Sequence, residues 1–397
     1  MSDGKIISAV EVCDMQAKSS PAQLEYMRKD RRFLHRIPEI GFELPKTRSY
    51  VGSALQEVHP DELYECAGGW KAVFRARNPI EDAIAFRADM DALPVAERTG
   101  LPFASEHSGA MHACGHDGHT AILLGLARMV SQMRENLRRD IVLIFQPAEE
   151  NIGGAVQMIK AGVLENPKVS EIYALHLWPG IPKGRFGVGV GPVMSGVASV
   201  DITVRGTSTH GAMPHMGADP VCAVAQAILS IQASLMRTVN AADPVVFTVG
   251  KLQGGTMRNI LAEELLLECT IRAFSTANME KILDTARAAL AGADALYGTQ
   301  SKLEVLSSDP PVVNDERAVA RVRAAAWESA QPFVPVSIAE DFSEYQRICP
   351  GAFIFCGVGD TQPLHSAEFN FDEESLVDGL NLLENILWEA NDNVGTV

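Results

Sequence analysis

The sequence predicts an α/β protein: a larger α/β domain interrupted by a smaller α+β domain. Three observations lead to that expectation. Short apolar runs (AIAF at 83–86, IVLIF at 141–145, EIYALHLW at 171–178) alternate with helical stretches such as TAILLGLARMVSQM at 120–133. This is the pattern of a largely parallel sheet covered on both faces. Near Val193 the texture changes to strands of alternating polarity, and after the DPP turn at 309–311 a helix (316–329) and the run AFIFCGVG restore the first texture.

The elements follow in order. The first forty residues read as helical, and Pro38 stops the basic segment RKDRRFLHRIP. The strand and helix runs above build the first α/β layer. Then SVDITVRGTS reads as a strand, with a helix from about Pro220 to Leu235 after it. PVVFTVGKLQ and ELLLECTIRAFS read as two strands joined by GGTMRN. A helix from about Ala277 to Ala291 and the strand KLEVLS complete the segment. The order β-α-β-β-α-β is the split ferredoxin-like unit, which stands alone as a domain. The expected division is therefore 1–192 with 307–397 as one domain and 193–306 as the inserted one.

Composition narrows the class of function. With 34 basic and 50 acidic residues the chain carries −16, a charge that repels phosphate backbones and anionic lipid. No nucleic-acid or membrane partner is expected. No run of 18 apolar residues is present, so no spanning helix is expected. The first twenty residues lack the apolar core of a signal peptide, and the seven cysteines are widely spaced, which together predict reduced thiols in the cytoplasm.

The chemistry gathers at the ends of the apolar runs. AIAFRA leads into Asp89 and Asp91, IVLIFQPA into Glu149 and Glu150, EIYAL into His176, and AFIFCGVG toward His365. In open α/β sheets such strand ends meet at one edge. Just before the long apolar helix, residues 112–119 hold His112, Cys114, His116, Asp117 and His119, with Gly115 and Gly118 suited to a tight turn. A single histidine on an apolar strand is most often a hydrogen-bonded core residue, and paired glutamates are most often solvated. Five such features at strand ends together are not explained that way. Thiolate, imidazole and carboxylate in combination suit Zn²⁺, Mn²⁺, Co²⁺ or Ni²⁺ better than Mg²⁺ or Ca²⁺. More donors than one tetrahedral ion needs point to two ions sharing a water, with one of Glu149 and Glu150 as ligand and the other as base.

The motifs ADMDALP, MHACGHDGHTA, QPAEENIGGA, ALHLWP, HGAMPH, AEDFSEY and PLHSAEF resemble, in order, those of the M20 metallopeptidase family. They are most similar to its amidohydrolase branch of hippurate hydrolases, N-acyl-amino-acid aminoacylases and auxin-conjugate hydrolases. The resemblance implies a metal-binding α/β catalytic domain with an inserted ferredoxin-like lid and dimerisation domain. It assigns Cys114, His116, Glu150, His176 and His365 as metal ligands, with manganese or zinc foremost and cobalt or nickel as alternatives. Glu149 matches the general base, and Asp91 the aspartate that steadies a ligating imidazole. Asp89 stands where most M20 peptidases have a ligating histidine. His210 matches a histidine that reaches across a dimer to the scissile carbonyl, and Asn259 and Arg272 match residues that receive the substrate carboxylate.

The resemblance thus implies a metal-dependent hydrolase cleaving N-acyl or N-aroyl amino acids, acting as a homodimer or dimer-based tetramer. The alternatives are a metallo-dipeptidase or aromatic-amine aminohydrolase on the same fold, and a catalytically silent binding protein. Departures from the branch pattern (Asn259-Ile-Leu-Ala-Glu263, Ser208-Thr209 before the lid histidine, Ala339) fall on the substrate side and leave every ligand in place.

Overall fold

A computed structural model describes residues 21–150 and 153–392 of the chain. The expected helix in the first twenty residues lies outside the described residues. Two compact units are present: one made of the described residues through Val188 with Asp315–Phe333 and those from Arg347 onward, the other of Gly189–Asn314 and Val334–Gln346.

The larger unit opens with α1 (Pro21–Arg36), α2 (Pro45–Glu57), the hairpin β1 (Glu62–Cys66) and β2 (Gly69–Phe74), then β3 (Ala83–Asp89), α3 (His116–Gln132), β4 (Ile141–Gln146), α4 (Gly154–Lys160), β5 (Val169–Trp178) and β6 (Phe186–Val188). The smaller unit follows with β7 (Gly191–Met194), β8 (Gly196–Arg205), α5 (Pro220–Thr238), β9 (Val245–Gly254), β10 (Glu264–Ala273), α6 (Thr276–Tyr297), β11 (Gln300–Asp309) and β12 (Val312–Asn314). The chain returns through α7 (Glu316–Ala326) and β13 (Ala330–Pro332), gives α8 (Phe342–Gln346) to the smaller unit, and ends in β14 (Gly351–Gly357) and α9 (Ser375–Asp392).

In the larger unit the strands lie in the order β1-β2-β4-β3-β5-β14-β6-β13, and the four central ones are parallel. Every residue of β3, β4 and β14 is buried, as continuous apolar runs in a two-sided sheet require. Helix α3 is buried over almost its whole length and packs against α1 and α9. It can start where it does because of two glycines. Gly115 takes φ +88 to cap it, and a Cβ on Gly118 would lie 2.6 Å from Leu177 and 2.7 Å from Phe371.

The smaller unit has the expected β-α-β-β-α-β order, with its strands arranged β11-β8-β10-β9, all antiparallel. Asp219 and Ser275 cap α5 and α6 by accepting backbone N–H groups of the first turn. By length and composition α5 is a helix that could cross a bilayer, but Ala223, Val224, Ala227, Ile231 and Leu235 bury one face of it in the unit's own core. The unit is larger than 193–306. β7 pairs with β12, and the Ser195 amide donates to the carbonyls of Val336 (3.1 Å) and Ile338 (3.0 Å), which ties residues 334–346 to it.

Candidate metal centre

Strand β3 lies between β4, which follows it in sequence, and β5, which follows β4. Strand addition therefore reverses at β3, and in a parallel sheet that switch opens a crevice at the carboxyl ends of the strands. Asp89 and Asp91 lie at the end of β3, Glu149 and Glu150 just after β4, His176 near the end of β5 and His365 after β14. The turn into α3 brings Cys114 and His116 to the same place. Two non-glycine residues here have left-handed backbone: Ala148 (φ +56), immediately before Glu149, and His365 itself (φ +66). Strain of that kind persists only where the surroundings hold it.

All six predicted donors converge. Cys114 Sγ lies 3.4 Å from His176 Nε2, and Glu150 Oε1 lies 3.4 Å from His365 Nε2. His116 Nε2 lies 3.8 Å from Glu150 and 4.0 Å from Glu149. Cys114 with His116 and His176, Cys114 with Glu150 and His365, and His116 with Glu149 and Glu150 each form a group able to hold an ion. Donor atoms at these separations are placed as they are around a common dication, where ligand distances are about 2.0–2.3 Å.

The ring nitrogens separate candidate ligands from scaffold. His116 Nδ1 bonds the Asp91 carbonyl (2.9 Å), leaving Nε2 buried without a hydrogen-bond partner. His176 Nδ1 bonds the Leu177 carbonyl (2.8 Å), leaving Nε2 toward Cys114. His119 falls in a further group with Asp89 and His116, yet both of its nitrogens are taken. Nδ1 bonds Asp89 (2.7 Å), and Nε2 accepts from the Leu177 amide (2.9 Å). Asp89 also receives Arg87 (2.8 Å). His119 and Asp89 thus form an internal pair.

Asp91 lies against His116 and the turn of Glu149 and Glu150 at once. Its backbone carbonyl accepts from His116 Nδ1 (2.9 Å), and its carboxylate lies 3.6 Å from the same nitrogen. The two carboxylate oxygens accept the amides of Glu149 (3.0 Å) and Glu150 (3.1 Å), so the side chain fixes the turn that presents both glutamates.

The electrostatics call for positive charge. Burial raises the Cys114 thiol well above its usual range, and Glu150, Glu149 and Asp89 raise it further. Burial opposes charge on His116 too, but Asp89 and Asp91 overcome it and push that imidazole up to about 10. Burial, with His119 nearby, holds His176 well below its usual value. For Glu150, burial is outweighed by its contact with His365 and by His116, and its pKa falls. A pocket that draws a proton onto a buried imidazole and strands a thiol among carboxylates suits a dication, which ionises such a thiol outright. The residues fit a borderline transition metal.

In the smaller unit His210 and Asn259 are brought together: the Gly211 amide donates to the Asn259 carbonyl (2.8 Å), and His210 bridges to Ile260. Arg272 is not with them. It lies near the opposite end of β10, eight residues or roughly 26 Å of strand from Glu264, and donates to the Ser337 carbonyl (2.9 Å).

The family model described as peptidase family M20/M25/M40 matches residues 85–389, most of the chain. The chain belongs to this family. It is a hydrolase of amide bonds, and the expected family and fold both hold. An N-acetyl-L-cysteine deacetylase of Bacillus subtilis is 33% identical over 92% of this chain and 89% of its own length. An N-acetyldiaminopimelate deacetylase of Exiguobacterium sibiricum is 36% identical over 92% of this chain and all of its own. Among solved structures, the YXEP protein of Bacillus subtilis, described as a dinuclear metal-binding peptidase from the M20 family, superposes with a TM-score of 0.84 at 31% identity, covering 94% of this chain and 100% of its own. A putative aminohydrolase from methicillin-resistant Staphylococcus aureus gives 0.89 at 30% identity, over 94% and 97%.

Sequence reasoning about this M20 hydrolase missed the residues behind the candidate ligands. Arg31 and His35 of α1 both reach Asp117, the residue after His116, at 3.3 and 2.8 Å. The available signal was two polar side chains four residues apart on the face of α1 that also carries the buried Met27 and Leu34.

Proposed function

We propose that the chain is a metal-dependent amidohydrolase that removes the acyl group of N-acyl amino acids, working with two divalent ions per subunit. The observation that carries this reading is the convergence of one thiol, three imidazoles and two carboxylates at a single sheet edge, with His116 Nε2 buried and unbonded. The named activities of the relatives, deacetylation of N-acetylcysteine and N-acetyldiaminopimelate, favour N-acetyl amino acids first and hippurate-like N-aroyl amino acids second.

Cys114, His116, Glu150, His176 and His365 would hold the ions. Their mixed donor set suits manganese or zinc, then cobalt or nickel, and a cytoplasmic compartment keeps the thiol reduced. When bound, such a pair supplies an acidified water and polarises the scissile carbonyl. Glu149 takes the proton of that water as its oxygen adds to the acyl carbon, and passes it to the nitrogen as the C–N bond breaks. The products are a carboxylic acid and an amino acid. The Asp91 carboxylate keeps Glu149 aimed by holding both amides of its turn.

His210 is the oxyanion donor in this reading, and it comes from a second copy of the chain. One support is the distance along β10. A substrate a few ångströms long cannot touch Asn259 and Arg272 of the same chain, whereas two copies can offer one of each. The other is β9, a ten-residue edge strand with Val246 and Leu252 exposed, beside exposed Leu229 and Met236 of α5. Such an edge is normally covered, and a homodimer or a dimer-based tetramer would cover it. The test is to load chelator-stripped protein with Mn²⁺ or Zn²⁺ and follow acid release from N-acetyl and N-benzoyl amino acids, with dipeptides alongside. Turnover of N-acetyl amino acids is expected; turnover of dipeptides alone would overturn the substrate class.

A further inference from the structure

Arginine at position 31 has one of the largest fully buried side chains of the chain, 1% exposed. Its guanidinium reaches two loops. On one side Nε bonds Asp117 Oδ2 (3.3 Å), which also receives His35 Nδ1 (2.8 Å). On the other, Nη2 bonds Asn370 Oδ1 (2.6 Å), Nη1 bonds the Phe371 carbonyl (3.3 Å) and pairs with Glu373 (3.4 Å), and the plane lies 3.7 Å from the Phe371 ring centroid. Asp117 follows His116 directly. Asn370 and Phe371 lie five and six residues past His365, whose amide donates to the Ala113 carbonyl (2.8 Å) and whose φ is +66.

We infer that Arg31 is a positioning residue for the metal centre: bound to both Asp117 and the Asn370–Phe371 segment, it fixes the spacing between the loop that carries Cys114 and His116 and the loop that carries His365. The inference rests on the metal reading above. Its physical basis is cost. A buried ion pair gains little over well-packed apolar side chains of the same volume, so its retention is not explained by stability. A strained ligand such as His365 does need its loop held from outside. Groups behind metal ligands commonly change metal affinity 10–100-fold when lost.

A second buried arginine gives the control. Arg139 is fully buried in the same unit and bonds the Asp82 carbonyl (2.9 Å), Glu171 (3.2 Å) and Ser170 (2.8 Å). It lies just before β4, at the opposite strand ends from the ligands, roughly 20 Å away along the strand. The experiment compares Arg31→Met, Arg31→Lys, Asn370→Ala and Arg139→Met with the wild type. The readouts are Zn²⁺ affinity by competition with a chromophoric chelator and thermal midpoint of the metal-free protein. Arg31→Met should weaken at least one Zn²⁺ site 10–100-fold and Arg31→Lys less, while Arg139→Met lowers the midpoint and leaves affinity unchanged. Asn370→Ala removes a single contact, so it reports even if Arg31→Met fails to fold. Wild-type Zn²⁺ affinity in Arg31→Lys and Asn370→Ala, or an equal loss in Arg139→Met, would overturn the inference. A wild type that takes up no Zn²⁺ would overturn the metal reading beneath it.

Discussion

His35 sets a pH window for stability. Burial disfavours its charged form, but Asp117 at 2.8 Å and Glu97 at 3.3 Å outweigh that and push the imidazole up to about 9 from 6.5. A group whose folded pKa is raised stabilises fully below its unfolded pKa and loses that contribution as pH rises through the folded one. The shift of about 2.5 units corresponds to on the order of 3 kcal/mol, at about 1.36 kcal/mol per unit. The same contact lowers Asp117, so the energy belongs to the pair and is counted once. The perturbation is His35→Gln, and the assay is urea unfolding of metal-free wild type and variant at pH 6 and pH 10. The stability gap between them should shrink by on the order of 3 kcal/mol from the lower pH to the higher, with most of the change between pH 6.5 and 9. Any cost of the substitution that does not titrate cancels in this difference. An equal gap at both pH values would refute the charged pairing of His35.

Three further outcomes are expected. Glu149→Gln should keep its metal and lose roughly 10²–10⁴-fold in kcat, the size of a general-base contribution, whereas Glu150→Gln should lose metal; elemental analysis beside kinetics separates them, and the reverse result would exchange their roles. Gly118→Ala should cost about 1–3 kcal/mol by overpacking, because its Cβ would meet Leu177 and Phe371 at 2.6 and 2.7 Å, and thermal unfolding measures it. Loss of one preorganised oxyanion donor costs about 10²–10³-fold in kcat, so His210→Ala should be nearly inactive, yet mixing it with Glu149→Gln should restore activity. After verified subunit exchange, no recovery would reject a site shared between two chains.

The proposed ligands Glu150, His176 and His365 were legible because each lies on or after an apolar run, and strand ends of a parallel sheet meet at one edge. Cys114 and His116 announced themselves through their glycines: Gly115 needs left-handed backbone and Gly118 a close approach. What stayed hidden depends on contacts far apart in sequence. His119 looks like a ligand until both of its nitrogens are seen to be taken by Asp89 and Leu177. Asp91 could be placed near the site, but not that its carboxylate would also hold the amides of Glu149 and Glu150. Residues 334–346 join the smaller unit through hydrogen bonds from Ser195, which no local pattern records. The link between Arg31 and Asp117 spans 86 positions, and only the polar stripe on an otherwise apolar helix face hinted at it.

The central claim is that Cys114 is a thiolate ligand in a two-ion centre. The most direct measurement is the metal content of Cys114→Ala beside the wild type, both reconstituted under the same conditions and measured by elemental analysis. About two divalent ions per chain are expected in the wild type, with clear loss in the variant, since the thiol lies within reach of His116, His176, Glu150 and His365. Full occupancy of both positions in Cys114→Ala would contradict the account.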